Sequence, residues 1–146
     1  MPVDVLSEIE IARPRNQVAA YACDPDRATE WYENIEAVEW VTPRGVVAVG
    51  ARFSFVARFL GRRLAYTYEV RELTPGERFV MSTAEGSFPM ETTYTWADTA
   101  SSGTRMALRN RGEPSGFARM ARPLTKAAIR RANRKDLRRL KQILET

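Results

Sequence analysis

The hydrophobic period of this chain changes once. From Glu36 to Glu113 apolar side chains mostly alternate with polar ones, the two-residue period of strands that bury one face. Past Gly112, Pro114 and Gly116 the period lengthens. Phe117, Met120, Leu124, Ala128, Ala132, Leu137, Leu140 and Leu144 recur at threes and fours with modest slippage. That is an amphipathic helix of roughly seven turns. A sheet with one apolar face needs a cover, and only this last segment is long enough to supply it. The implied fold class is α+β: a curved antiparallel sheet of about seven strands gripping a long C-terminal helix.

The segments before the meander fit the same plan. "VDVLSEIEIA" places Val3, Val5, Ile9 and Ile11 at odd positions with Glu8 and Glu10 between them, a first strand. "RNQVAAYAC", opened by Pro14, suits a short helix. Asp24-Pro25 breaks it, and "DRATEWY" suits a second, with Asp24 as its cap. Both are too short to stand alone and must pack on the sheet. The strands that follow are "EAVEWV", "GARFSFVARFL", "RLAYTYEVREL", "RFVMST", "METTYTWAD" and "TRMALRN". Their short links fit hairpins, and "TPGE" carries the Pro-Gly pair of a type II turn. At 146 residues the chain suits one domain over residues 1–146 with one core.

Composition removes whole classes of chemistry. There is no histidine, and Cys23 is the only cysteine. An intrachain disulfide, Cys/His zinc sites and His-dependent nucleophilic catalysis are excluded. No metal and no cofactor is expected. Acid–base work would fall to Asp, Glu, Tyr, Lys, Arg or water. No apolar run reaches the roughly 18 residues of a membrane helix, and the N-terminus lacks a signal pattern, so a cytoplasmic location is expected. Cys23 reads as a small buried residue at a helix end, with no cationic neighbour to activate it.

Parity assigns the faces of the sheet. Phe53, Phe55, Ala57 and Phe59 share one face with Leu64, Tyr66, Tyr68 and Val70, and Met81 joins them. So do Met90, Thr92, Tyr94 and Trp96, then Met106, Leu108 and Asn110. The opposite set, with Arg52, Arg58, Glu69, Arg71, Glu91, Thr93, Arg105 and Arg109, is mostly charged and should face water. Hydroxyls and an amide on an inward face must find partners, because burying them alone is costly. Internal hydrogen bonds, or a wet or ligand-filled cavity, would each supply them. Candidate ligand-facing residues are Phe55, Phe59, Tyr66, Tyr68, Met81 and Met90, with Thr92, Tyr94 and Asn110 as the polar members. Phe117, Met120 and Leu124 would add the helix roof. Trp31 and Tyr32 either line a mouth or anchor the helix pair. The inward set contains no paired carboxylates, and Glu91 points outward.

These features carry a family resemblance over the whole chain. "IEIARPRNQVAAYACDPDRATEWYENI", "VGARF", "YEVRELTPGERFVM", "GSFPMETTYTW", "GTRMALRNRGEPSGF" and "RRANRKDLRRLKQILE" together resemble the SRPBCC superfamily, the START-like helix-grip proteins, in the polyketide cyclase/dehydrase-like branch. The resemblance implies a mainly apolar cavity between sheet and long helix, holding a lipid, sterol, polyketide or other aromatic molecule. The leading expectation is a protein that binds, carries or sequesters such a molecule. The alternative is a cofactor-independent aromatase/cyclase-type enzyme in the same cavity, with tyrosine and asparagine guiding enolisation.

A minor alternative concerns charge. The segment from Phe117 onward holds ten Lys or Arg and two acids, net +8, against −3 for the rest. Most of this is expected to be a solvated face. RNA or ribosome contact, which the resemblance to a ribosome-associated START-like branch suggests, and an anionic membrane surface are the other readings. No aromatic residue interleaves the basic run to stack bases. DNA is not expected as a partner, and the oligomeric state is left open.

Overall fold

The structure, a computed structural model, describes residues 3–45, 47–59, 61–86, 89–112 and 122–146, and only the backbone of residues 59, 62, 85, 86 and 122–125. Strand β1 (Val3–Ile11) leads into helix α1 (Arg15–Ala22), a 3-10 turn (Pro25–Arg27) and helix α2 (Ala28–Trp31). Strands β2 (Ile35–Trp40), β3 (Arg52–Phe59), β4 (Arg62–Thr74), β5 (Arg78–Gly86), β6 (Met90–Asp98) and β7 (Thr104–Gly112) follow, then helix α3 (Arg122–Glu145). The second short helix expected from "DRATEWY" thus divides into a 3-10 turn and one α-turn. Asp24 caps it as expected, its Oδ1 accepting from Asp26 N at 3.0 Å.

All seven strands form one antiparallel sheet in the order β1-β7-β6-β5-β4-β3-β2. The meander closes back on β1 because β1 pairs with β7, from Val3 opposite Gly112 to Ile11 opposite Thr104. Register shifts between Thr67 and Tyr68 and between Val70 and Glu72 mark bulges in the β4–β5 pair. Bulges raise local twist and bend a sheet, which lets this one curl around a helix. The Thr74–Glu77 link is the type II turn its sequence predicts: Gly76 has φ +75° and Glu77 N donates to Thr74 O at 2.9 Å. β5 is longer than "RFVMST" suggests and continues to Gly86.

The core lies between sheet and α3. Val5, Phe53, Val70, Met106 and Leu108 from the sheet are almost fully buried, as are Leu137 and Leu140 of α3. Trp31 is also fully buried, so it anchors the helix pair. Polar ties fix α3 in place. Lys141 Nζ donates to Glu10 O at 2.8 Å, Ala12 N donates to Glu145 Oε2 at 2.7 Å, and Arg139 Nε donates to Glu30 O. The outer face is laced by ion pairs such as Arg109–Asp4 and Arg111–Glu91. Thr93 is on that outer face as parity requires, yet it is buried beside its cross-strand partner Val80. No described helix is long and apolar enough to cross a membrane.

Candidate functional site

Between the concave face of the sheet and α3 lies a cavity of about 150 Å³. Its apolar wall is aromatic. Phe55 stacks on Tyr66 with centroids 5.6 Å apart, and Tyr66 meets Tyr68 at 5.1 Å. Phe79 and Tyr94 follow at 5.8 Å. These rings converge because β3, β4, β5 and β6 present the same pleat face at successive positions. Gly112 lines the cavity. A β-carbon there would sit 2.4 Å from Pro89 O, so only glycine lets β7 lie this close to the start of β6.

Polar groups enter this wall in two clusters. In the first, Tyr68 Oη lies 2.8 Å from Thr92 Oγ1, and Thr92 Oγ1 donates to Asn110 Oδ1 at 2.7 Å. Asn110 Nδ2 then donates to Asn133 Oδ1 on α3 at 3.1 Å. In the second, the hydroxyls of Tyr32 and Tyr94 share a short hydrogen bond. Thr92 and Tyr94 therefore do not pair with each other. Each has a protein partner distant in sequence.

Burial sets the protonation of these groups. It pushes the Tyr68 phenol up to about 12, and those of Tyr32, Tyr66 and Tyr94 well above the ordinary value. All four stay protonated at neutral pH, so none is a phenolate base. The Cys23 thiol is pushed up to about 12 by burial, so it is no thiolate nucleophile. It is half-buried on the cavity wall rather than fully buried.

Among the described residues Asp24 and Asp136 bring carboxylates to the cavity wall, and of these Asp136 is the buried one. It is 3% exposed, lines the cavity from α3 and accepts from Glu33 N at 3.0 Å. Burial raises its pKa to about 6, against the pull of that hydrogen bond and of Lys135 and Arg139.

Of the residues expected from sequence, Phe55, Tyr66, Tyr68, Met81, Met90, Thr92, Tyr94 and Asn110 all lie on the cavity wall. Phe59 and Leu124 fall within β3 and α3, but their side chains lie outside the described residues, as do Phe117 and Met120 altogether. The Gly86–Pro89 link, expected at the rim, is described only at its ends. Glu91 points outward and pairs with Arg111 at 2.8 Å. Of the two aromatics ending the second helix, Tyr32 lines the cavity while Trp31 packs behind it. Sequence reasoning missed Asn133 and Asp136. Their signal was spacing: Asn133 lies one turn from Ile129 and from Leu137, and Asp136 one turn from Leu140, on the stripe that faces the sheet.

A family model described as "Polyketide cyclase / dehydrase and lipid transport" matches residues 2–145. The chain belongs to this family. Among solved structures it resembles TTHA0849 from Thermus thermophilus, with a TM-score of 0.82 and 22% identity over 95% of this chain and 94% of that one. It also resembles the Zhui aromatase/cyclase from Streptomyces sp. R1128, with a TM-score of 0.82 and 16% identity over 99% of this chain and 94% of that one. A START superfamily protein from Mycobacterium smegmatis aligns with a TM-score of 0.80 and 12% identity over 97% of each chain. At such identities these likenesses speak for the helix-grip fold alone. No curated protein matches the chain by sequence.

Proposed function

We propose that this protein binds a small hydrophobic molecule, lipid- or polyketide-like, in the cavity between the sheet and α3, and carries or sequesters it. One observation carries this reading: an aromatic-walled cavity whose few polar groups are mostly held in internal hydrogen bonds. Ligand sites have this make-up, apolar wall for affinity and placed polar groups for orientation. The family description, which joins cyclisation and dehydration with lipid transport, supports it. The proposed ligand-facing residues are those of the sheet wall, with Tyr32, Asn133 and Asp136 added. Native mass spectrometry after gentle purification should find an apolar passenger. An apolar fluorescent dye should be taken up stoichiometrically and displaced by competing ligands. A preparation without a passenger that also refuses the dye would overturn the reading.

A second reading, cofactor-independent cyclase chemistry, is favoured by one observation. Asp136, buried on the cavity wall with its pKa raised to about 6, is poised to exchange a proton near neutral pH. Conversion of a poly-β-ketone probe would then be lost in Asp136→Asn while dye uptake persists. Among the described residues no such feature favours contact with RNA or an anionic membrane through α3. There Lys135 pairs with Glu33, while Arg139 and Lys141 hold backbone carbonyls.

A further inference from the structure

The polar ladder in the cavity wall has a direction. Thr92 Oγ1 carries one hydrogen and gives it to Asn110 Oδ1 at 2.7 Å, so Tyr68 Oη must donate to Thr92. Asn110 Nδ2 donates onward to Asn133 Oδ1 at 3.1 Å. Every hydrogen along the ladder points toward α3. At its end Asn133 is 4% exposed, and its Nδ2 is buried with no partner among the described residues. Buried polar groups are nearly always satisfied, and a lone buried amide donor on a cavity wall calls for an explanation. The tyrosine pair adds to it. Two hydroxyls share one hydrogen bond, which leaves the second hydroxyl hydrogen without an acceptor among the described residues.

An incoming acceptor would satisfy these donors. A pure hydrocarbon would leave the amide bare. An ammonium group would set donor against donor at Asn133, and its buried charge would have only Asp136 to face, a carboxylate that already accepts from Glu33 N at 3.0 Å. A carboxylate or phosphate would bring a negative charge near Asp136, which is 3% exposed and follows Asn133 by three residues on the same face of α3. With its pKa near 6, Asp136 is mostly ionised at neutral pH and repels such a group. Lys135 does not offset this freely, since it pairs with Glu33 at 2.9 Å.

We propose that Asn133 is a specificity-determining residue that selects an uncharged apolar molecule bearing a carbonyl oxygen, which accepts from Asn133 Nδ2. This rests on the reading of the cavity as a binding site and narrows it: fatty-acid carboxylates and phospholipid headgroups are excluded from the part of the cavity beside Asn133.

One-ring probes suit the test, because an apolar cavity of about 150 Å³ is on the scale that holds benzene. Acetophenone, ethylbenzene, benzoate and α-methylbenzylamine present a ketone, a hydrocarbon, an anion and a cation on nearly one shape. Their affinities are read by heteronuclear NMR titration of the whole chain, whose spectra also report folding of each variant. Acetophenone and ethylbenzene should bind, and benzoate and the amine should not. In Asn133→Leu the acetophenone-to-ethylbenzene affinity ratio should fall about fivefold, the size of one neutral hydrogen bond. Asn133→Asp keeps an acceptor for Asn110 Nδ2 but replaces the donor, so acetophenone should weaken and the amine should gain. A ratio unchanged in both variants would overturn the proposal while leaving the binding reading intact. Preference of the parent protein for the amine would overturn it too, by showing that Asp136 or a ladder running the other way, rather than a donating Asn133, sets the selectivity. Refusal of every probe by the parent protein would overturn the binding reading itself, and the proposal with it.

Discussion

The sheet wall and the helix wall of the cavity treat polar groups differently. On the sheet, Tyr68, Thr92 and Asn110 form a chain in which each hydrogen used meets an acceptor. On the helix, Asn133 receives the last of those hydrogens and has no acceptor for its own among the described residues, while Asp136 keeps a carboxyl whose pKa burial raises to about 6. The difference has a physical source. A pleated face fixes side-chain direction at every second residue, so neighbouring strands can satisfy one another. A helix facing a cavity presents its polar residues to whatever fills that space. On the binding reading proposed above, the polar chain of the sheet wall would serve mainly as scaffold, and the polar groups of the helix wall would be the ones left to act on a ligand.

The most damaging test of this contrast is Thr92→Val. The change conserves shape and removes the hydroxyl in the middle of the ladder. It strands Tyr68 Oη and Asn110 Oδ1, both on buried residues. At about 1–3 kcal/mol for each of the two unsatisfied groups, the fold should lose roughly 2–6 kcal/mol. Urea unfolding measures it. A loss within error of zero would mean the ladder does not hold the sheet wall together, and the contrast would fail.

Asp136→Asn should move stability the other way. Asparagine can still accept from Glu33 N through its Oδ1, and it carries no charge to bury. The folded pKa of about 6 lies above the ordinary aspartate value of 3.8, so folding favours the protonated form. The sign follows. The carboxyl costs nothing below about pH 4, its cost grows as pH rises to about 6, and above that the cost is complete. That cost is on the order of 2–3 kcal/mol. The variant should therefore be more stable than the parent at pH 7.5, with the gap narrowing as pH falls below about 6 and closing only near pH ~3.5. Asp4, Glu30 and Glu145 do not blur this window. Hydrogen bonds from Arg109, Tyr21 and Lys141 respectively hold them below the usual range, so their contributions fade only at more acidic pH. A gap independent of pH would show that Asp136 is solvated and would erase the difference between the walls.

The same contrast explains what could be read from the sequence. Parity placed Met90, Thr92, Tyr94 and Trp96 on one face because a strand has no latitude: a residue faces in or out. Pro75-Gly76 was legible for a similar reason, since few turns accept that pair. A helical stripe is wider than a single row, and its margin is ambiguous. In "RRANRKDLRRLK" the basic residues made the whole run look solvated, and Asn133 and Asp136 were lost among them. Pairings across long stretches of chain were invisible as well. Nothing in local pattern joins Tyr94 to Tyr32, or separates Tyr32 from the fully buried Trp31 beside it. That separation comes from the backbone leaving helical geometry at Tyr32, where ψ is 115°. Burial of Thr93 on the outer face reflects packing beside Val80, which has no period to betray it.

The smallest effect should come from the far side of the same strand. Glu69 follows Tyr68 in β4 but points outward, where Arg52 and Arg71 each approach it at 2.8 Å. Two arginines on one carboxylate look stronger on paper than one neutral ladder bond. Yet both arginine side chains are 44% exposed, and ion pairs open to water yield little net stability. Glu69→Gln keeps the side-chain shape and should cost less than about 1 kcal/mol in dilute buffer, and less again in ~1 M salt, where screening is nearly complete. Thr92→Val should be insensitive to salt, because its partners are buried and uncharged. If Glu69→Gln instead cost more than Thr92→Val, the sheet would be held from outside, and its inner polar groups would be free to serve a ligand rather than the fold.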